Sequence, residues 1–92
     1  MILAKVVGHV IATQKCDALK GSNLLILNAL GDDLTPLKDR IYVAVDCVGA
    51  GQDDIVLAEK YLALNKESYK AMSIVAIVEK VYRDVKGAKT HE

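Results

Sequence analysis

The sequence predicts a small, mainly β protein: a partly closed barrel of five strands with one short helix. Five apolar segments, most of them rich in β-branched residues, are separated by clusters of turn-forming residues. Hydrophobic residues make up 52% of the chain, yet Trp and Phe are absent, so the apolar mass is aliphatic. At 92 residues the chain is expected to form one domain.

The first two strands are predicted from alternation and from a continuous apolar run. Ile2–Thr13 alternates between an apolar, mostly small face and a mixed face. Gly8, inside this strand, indicates a bulge or bend of the kind a barrel needs at its corners. Cys16–Asn23 is polar and is expected to form a loop, whereas Leu24–Leu30 is apolar except for Asn28 and predicts a strand covered on both faces.

The middle of the chain predicts two more strands. Gly31–Pro36 is a turn cluster that contains the single proline. Arg40–Val48 is rich in β-branched residues and predicts the third strand. Gly49–Asp54 interrupts it, and Ile55–Ala58 is expected to begin the fourth strand.

The last third of the chain predicts a helix, a strand and a tail. Glu59–Ala71 contains good helix formers and no β-branched residue, so one or two helical turns are expected there. Met72–Arg83 returns to β character as the last strand. Residues 1–83 are therefore expected to form the barrel domain, and the charged residues 84–92 a loose tail.

Charge is unevenly distributed along a chain whose formal net charge is zero. Residues 32–59 carry seven acidic and two basic side chains, whereas residues 60–92 carry seven basic and four acidic ones. Such segregation suits head-to-tail contact between copies, although ordinary solvated surfaces explain it as well. It does not suit a nucleic-acid interface, which needs a net basic face.

Catalytic and metal-binding patterns are weak. His9, Cys47 and Asp46 have no surrounding sequence that would orient them as a catalytic set. His9 has no second His or Cys at a metal-ligand spacing, and the paired Asp residues fit turns better than a calcium loop. Gly49–Gly51 lacks the spacing of a phosphate loop. The sequence therefore predicts no enzyme activity, metal or cofactor.

The cysteines and the hydropathy pattern predict the cellular compartment of the protein. Cys16 and Cys47 are expected to be free thiols in a reduced cytoplasmic protein. The amino-terminal residues lack the pattern of a signal peptide. No apolar run approaches the roughly 18 residues of a membrane-spanning helix, so no membrane association is expected.

Two other function classes stay open from the residues alone. A small barrel also fits single-stranded nucleic-acid binding, for which Tyr42 and Tyr82 would be stacking residues. Lys5, Lys80 and Arg83 would flank them. A small thiol enzyme built on Cys47 is the third alternative, with no substrate indicated.

Four segments in order resemble the EutN/CcmL family of bacterial microcompartment vertex proteins. They are the opening pattern Leu3–Thr13, the segment Leu19–Leu27, the element Val43–Gly51 (V-A-V-D-C-V-G-A-G) and the final strand pattern Ile74–Val81. The Asp-x-Val-Gly-Ala-Gly element is the most specific of the four. The similarity also includes Ile55–Leu57.

This resemblance implies an OB-like barrel subunit that assembles into a homopentamer. Family pentamers plug the fivefold corners of a polyhedral shell otherwise tiled by hexameric proteins, so the implied role is structural. The implied location is the microcompartment shell in the cytoplasm, and no nucleic-acid partner is implied.

The resemblance also assigns candidate residues for the subunit interface or pore loop: Asp46, Gly49, Ala50, Gly51 and Gln52. Asp46 would accept hydrogen bonds that pin the loop, and Gly51 is expected to need a positive φ or a close approach between subunits. The sequence departs from the family over Glu59–Met72, where the usual Gly-Ser-Ser-Ala-Arg-like element is missing. The interface is therefore expected to differ in detail there.

Overall fold

The computed structural model describes residues 1–15, 19, 21–63 and 70–82. These residues contain five strands: β1 (Ile2–Val10), β2 (Asn23–Leu30), β3 (Pro36–Asp46), β4 (Ile55–Ala63) and β5 (Lys70–Ile77). The strands close into a barrel in the order β1-β2-β3-β5-β4. The predicted mainly β fold with five strands is confirmed.

The barrel closes through a short parallel contact between β3 and β5. All other neighbouring strands pair antiparallel. The parallel register comprises Val45 opposite Ser73 and Asp46 opposite Ile74. The carboxyl end of β3 is therefore part of the closed wall of the barrel. The segment that follows Asp46 leaves this wall at one end of the barrel.

The core is aliphatic and lies inside the barrel. Its largest fully buried hydrophobic side chains are Leu27, Ile74, Val6 and Val56. Several alanines among the buried residues let the strands approach across this narrow interior. Ser73 is the one buried polar residue among those described, and its hydroxyl donates to the carbonyl of Ala71 at 3.3 Å. The other buried residues of the described part are aliphatic.

The first strand contains the irregularity that Gly8 predicted. The register between β1 and β2 shifts between Val6 and Gly8, which places a bulge at this point. A Cβ built on Gly8 would lie 3.3 Å from Cδ1 of Ile26, so the side chain of Ile26 lies over the glycine. The strand ends at Val10, three residues before the predicted end at Thr13.

The helix predicted over Glu59–Ala71 is wrong where the structure describes this range. Glu59 to Ala63 continue β4, Lys70 and Ala71 begin β5, and the two strands pair with each other. Residues 64–69 lie outside the described part. Helix propensities differ by only a few tenths of a kcal/mol per residue, so the antiparallel pairing overrides them.

The bounds of β3 and β5 also differ from those predicted. β3 begins at Pro36, where a proline is tolerated because it is the first residue of the strand. β5 runs from Lys70 to Ile77 instead of Met72–Arg83. The tail predicted over residues 84–92 lies outside the described residues.

Candidate functional site

The carboxylate of Asp46 organises the segment that leaves the third strand. Its Oδ1 accepts hydrogen bonds from the backbone N–H groups of Val48, Gly49 and Ala50, at 3.1, 3.0 and 3.2 Å. An Asp side chain at the start of a turn commonly satisfies backbone donors in this way. We call residues 46–54 the Asp46 loop; its first half is held by bonds of the kind predicted for Asp46.

A second aspartate holds the other half of the Asp46 loop. Oδ2 of Asp54 accepts from the N–H of Gly51 at 2.8 Å, and the N–H of Asp54 donates to the carbonyl of Gly51 at 3.1 Å. Sequence reasoning assigned the Asp53-Asp54 pair to a turn but did not single out Asp54. The sequence did contain a signal for this bond, because Asp54 is an acidic residue three positions after Gly51.

The Asp46 loop is also fastened to the first strand beside its bulge. The N–H of Val6 donates to the carbonyl of Asp54, and the N–H of Asp53 donates to the carbonyl of Val6, both at 2.9 Å. Lys5 lies 3.9 Å from the carboxylate of Asp53 in an exposed ion pair. The loop therefore extends the pairing of β4 along β1 and is fixed at both ends.

The glycines of this loop have different backbone requirements. Gly49 has φ of +83°, the left-handed region that side chains rarely adopt. Gly51 has no positive φ, and a Cβ there would have one neighbour within 4 Å, Oδ2 of Asp54 at 3.9 Å. The expected positive φ at Gly51 is wrong, because the left-handed turn lies two residues earlier.

An open cleft of about 300 Å³ lies beside the Asp46 loop. Four of the five candidate residues border it: Asp46, Ala50, Gly51 and Gln52. The other lining residues come from β1 and the residue after it and from the start of β2: Val6, Gly8, His9, Val10, Ile11, Asn23, Leu24 and Leu25. The arrangement is a shallow, mixed apolar and polar surface depression bounded by a rigid loop.

Exposed aliphatic side chains lie at this end of the barrel. Ile11, which borders the cleft, is 83% exposed, and Val48 of the Asp46 loop is 41% exposed.

The residues considered for chemistry lie at the same end of the barrel, with His9 and Asp46 both bordering the cleft. His9 borders the cleft, while Cys47 is exposed and its thiol is free. Oδ1 of Asp46 is engaged by three backbone donors. Within the described ranges, no group of three His, Cys, Asp or Glu side chains is placed to hold a metal ion. Cys16 lies outside those ranges.

The two tyrosines considered for base stacking have different surroundings. Tyr42 lies on β3 and packs against the core, with the ammonium of Lys60 5.7 Å from its ring centre. Tyr82 lies beyond the end of β5 and is 53% exposed. Tyr82 therefore does not lie on a strand next to Tyr42, and Arg83 lies outside the described residues.

The secondary structure was also compared with what a membrane-spanning helix requires. In the part of the chain that the structure describes, no helix is long and apolar enough to cross a bilayer.

The sequence matches a family and several curated proteins over most of its length. The family described as ethanolamine utilisation protein EutN/carboxysome matches residues 1–79. The carboxysome shell vertex protein CcmL of Thermosynechococcus vestitus is 40% identical over 89 residues, which span 91% of this chain and 89% of the relative. The microcompartment shell vertex protein GrpN of Rhodospirillum rubrum is 35% identical over 75 residues, 82% of this chain and 83% of the relative.

Solved structures of such proteins share the fold. The pentameric microcompartment shell protein GrpN from Rhodospirillum rubrum superposes with a TM-score of 0.83 at 34% identity, covering 92% of this chain and all of that one. EutN from Escherichia coli gives a TM-score of 0.79 at 27% identity, covering 98% of this chain and 94% of that one.

Proposed function

The chain belongs to the EutN/CcmL family, and from that premise we propose that five copies close into a ring at a fivefold corner of a microcompartment shell. The role is structural: the chain is a shell vertex protein, like the relatives that it resembles over most of its length. It acts in the shell, within the bacterial cytoplasm. Hexameric shell proteins are the proposed neighbours of the ring.

One observation carries the proposal of a pentamer. The barrel superposes along 92% of its length on a shell protein that is pentameric, with a TM-score of 0.83 and with 34% identity. A head-to-tail interface repeated around an axis closes when the rotation between subunits fits the ring. Because that rotation is set by the shape of the subunit, closely similar barrels are expected to close with the same number of copies.

We place the Asp46 loop at the contact between neighbouring subunits or at the pore of the ring. The candidate residues are Asp46, Gly49, Ala50, Gly51 and Gln52. Two features support this: the loop is fixed by Asp46 and Asp54, and its middle carries small side chains that permit close approach. A preformed loop loses little conformational entropy on association.

The proposed division of the chain follows the same reasoning. Residues 1–83 form the shell barrel, and residues 84–92 form a charged tail. The absence of catalysis is part of the proposal, because family membership points to a structural protein and Oδ1 of Asp46 is occupied by backbone donors.

Shell reconstitution tests the proposed function. Hexameric shell proteins are co-expressed with and without this chain, and the particles are examined by electron microscopy. We expect closed polyhedral particles with this chain at their corners, and open or tubular assemblies without it. Particles that close equally well without the chain, or that exclude it, would contradict the proposal.

A further inference from the structure

The chain leaves the last strand of the barrel beside the Asp46 loop. Val78, directly after β5, donates its N–H to the carbonyl of Ile55 at 2.7 Å. Ile55 is the first residue of β4 and directly follows Asp54, the last residue of the Asp46 loop. The chain that continues from Val78 therefore starts next to the acidic half of this loop.

The cleft beside the Asp46 loop lies within reach of the residues that follow. Ile55 lies opposite Lys5 of β1, and the neighbouring residue Val6 lines the cleft. Val78 is thus two strand spacings, about 10 Å, from the edge of the cleft. Residues 79–82 cover at most about 14 Å in any direction, whereas residues 83–92 span up to about 33 Å when extended. The segment 83–92 is therefore long enough to enter the cleft.

The charges of the two segments are opposite. Residues 46–54 contain three aspartates and no basic residue. Residues 80–92 contain two acidic and four basic residues, the basic ones being Lys80, Arg83, Lys86 and Lys89. Among the described residues Asp53 pairs with Lys5 at 3.9 Å, and 72% of its side chain stays exposed. The acidic half of the loop is therefore open to a further cation.

The cleft offers apolar and polar side chains that no described residue covers. Ile11 at its border is 83% exposed, and Asn23 and Gln52, which also line it, are exposed as well. Its volume of about 300 Å³ is at the lower limit of ligand pockets, and it is open along the surface. A short piece of extended chain with small side chains, such as Val85 and Ala88, fits this shape.

We propose that residues 83–92 lie in the cleft beside the Asp46 loop of their own copy. Lys86 and Lys89 pair with the acidic half of the loop at Asp53, and Val85 packs against the apolar border at Ile11. The family match ends at residue 79, so the contact is made by a segment beyond the shared barrel. The inference goes beyond the proposed function, because docking within one copy does not depend on a ring.

Zero-length cross-linking of the full chain tests the contact. A carbodiimide joins a lysine ammonium to a carboxylate as an amide only where the two groups are in contact. We expect mass spectrometry of the digested protein to find Asp53 joined to Lys86 or Lys89. The ion pair between Lys5 and Asp53 supplies the positive control for the reactivity of this carboxylate. Asp39, exposed and nearer the start of β3, should give no link to either lysine.

Isotope labelling decides which copy supplies the segment. Chains grown with ¹⁴N and with ¹⁵N are unfolded, mixed and refolded together, so that any assembly contains both. Cross-links that join only chain pieces of the same label are the expected result. Links between pieces of different label would show that the segment crosses to a neighbouring copy, and would overturn the inference.

Nuclear magnetic resonance tests occupancy of the cleft without chemical modification. The amide signals of the full chain are compared with those of a chain that ends after Tyr82. We expect different chemical shifts at Ile11, Gly51 and Gln52, which line the cleft. Leu34, in the turn between β2 and β3 at the other end of the barrel, should show the same shift in both chains.

A matched pair of full-length variants tests the role of charge in the same spectra. The double variant Lys86→Glu and Lys89→Glu should give cleft signals close to those of the shortened chain, because its segment is repelled by the acidic loop. The double variant Lys86→Arg and Lys89→Arg keeps both positive charges and should give the signals of the wild type.

The outcomes separate this inference from the proposed function. Absence of a link between Asp53 and either lysine, in a sample where the link to Lys5 forms, would overturn the inference. Cleft signals that are the same with and without residues 83–92 would overturn it too. Neither result affects the proposed ring, which native mass spectrometry measures independently.

Discussion

At the scale of single residues, the Asp46 loop depends on one carboxylate oxygen that accepts three backbone N–H bonds. Replacing Asp46 by Ala leaves these three donors without their acceptor, two of them exposed and that of Ala50 partly buried. We expect Asp46→Ala to lower the free energy of unfolding by about 1–3 kcal/mol, measured by urea denaturation.

The matched variant is Asp46→Asn, which keeps a carbonyl oxygen at the position of the acceptor. It should retain more than half of the stability that Asp46→Ala loses, because neutral acceptors are weaker but still bond. Equal stability of Asp46→Ala and the wild type would show that water replaces the carboxylate without cost.

Gly49 and Gly51 lie two residues apart and should respond differently to the same substitution. Gly49→Val forces a β-branched residue into a left-handed conformation and is expected to cost about 1–3 kcal/mol in unfolding experiments. Gly51→Val meets only Oδ2 of Asp54, 3.9 Å from the position of Cβ, and is expected to leave the fold of the subunit intact but to block ring assembly.

Two measurements on these variants separate an effect on ring assembly from an effect on the fold. Size-exclusion chromatography with light scattering reports assembly, and thermal unfolding reports the fold. A normal ring of Gly51→Val would remove this residue from the interface. A Gly49→Val protein as stable as the wild type would show that the turn can change its backbone shape.

Much of the loop could be predicted from the sequence at this scale. The resemblance to the family implied that Asp46 accepts hydrogen bonds from its loop, and Oδ1 of Asp46 does so. Which glycine is left-handed could not be predicted, because both Gly49 and Gly51 permit positive φ and only the turn geometry selects one. Asp54 was missed for a similar reason: its bond to the N–H of Gly51 depends on that same geometry.

At the scale of elements, Asn28 is the residue that fixes the irregular pairing of β2 with β3. Its amide donates to the carbonyls of Leu37 and Arg40, where the ladder is interrupted. We expect Asn28→Ala to lower the free energy of unfolding by about 1 kcal/mol. The isosteric Asn28→Asp, which removes both donors and faces carbonyls with a carboxylate, should cost more.

Hydrogen exchange locates the effect of these Asn28 variants. Faster exchange is expected along β3 from Leu37 to Ile41, with little change in β4 and β5. Uniformly faster exchange across the barrel would contradict a local role for Asn28.

The fourth and fifth strands show where element prediction fails. Composition favoured a helix over Glu59–Ala71, yet Glu59 pairs with Ser73 and Leu62 with Ala71. These partners are 9 and 14 residues apart, so the composition of the segment alone does not reveal their pairing. Propensity therefore misassigns a segment whose conformation is decided by contact between strands. By contrast, the bulge in β1 was predicted correctly from Gly8, because a glycine inside an alternating strand commonly marks a bulge.

At the scale of the whole molecule, the barrel and the ring rest on different kinds of information. The five strands follow from hydrophobic pattern and turn residues, which are local. The exposure of Ile41 and Val43 could not be predicted, because both look like core residues until the register places them outside. The number of copies follows from subunit shape and therefore comes from family likeness and not from periodicity.

Native mass spectrometry of the wild-type chain at micromolar concentration tests the central claim most directly. A single closed ring of five copies predicts a dominant species at five times the 10.0 kDa mass of the chain, with no intermediate ladder. A spectrum that contains only the monomer, or a ring with another number of copies, would contradict the assignment of this protein to fivefold corners.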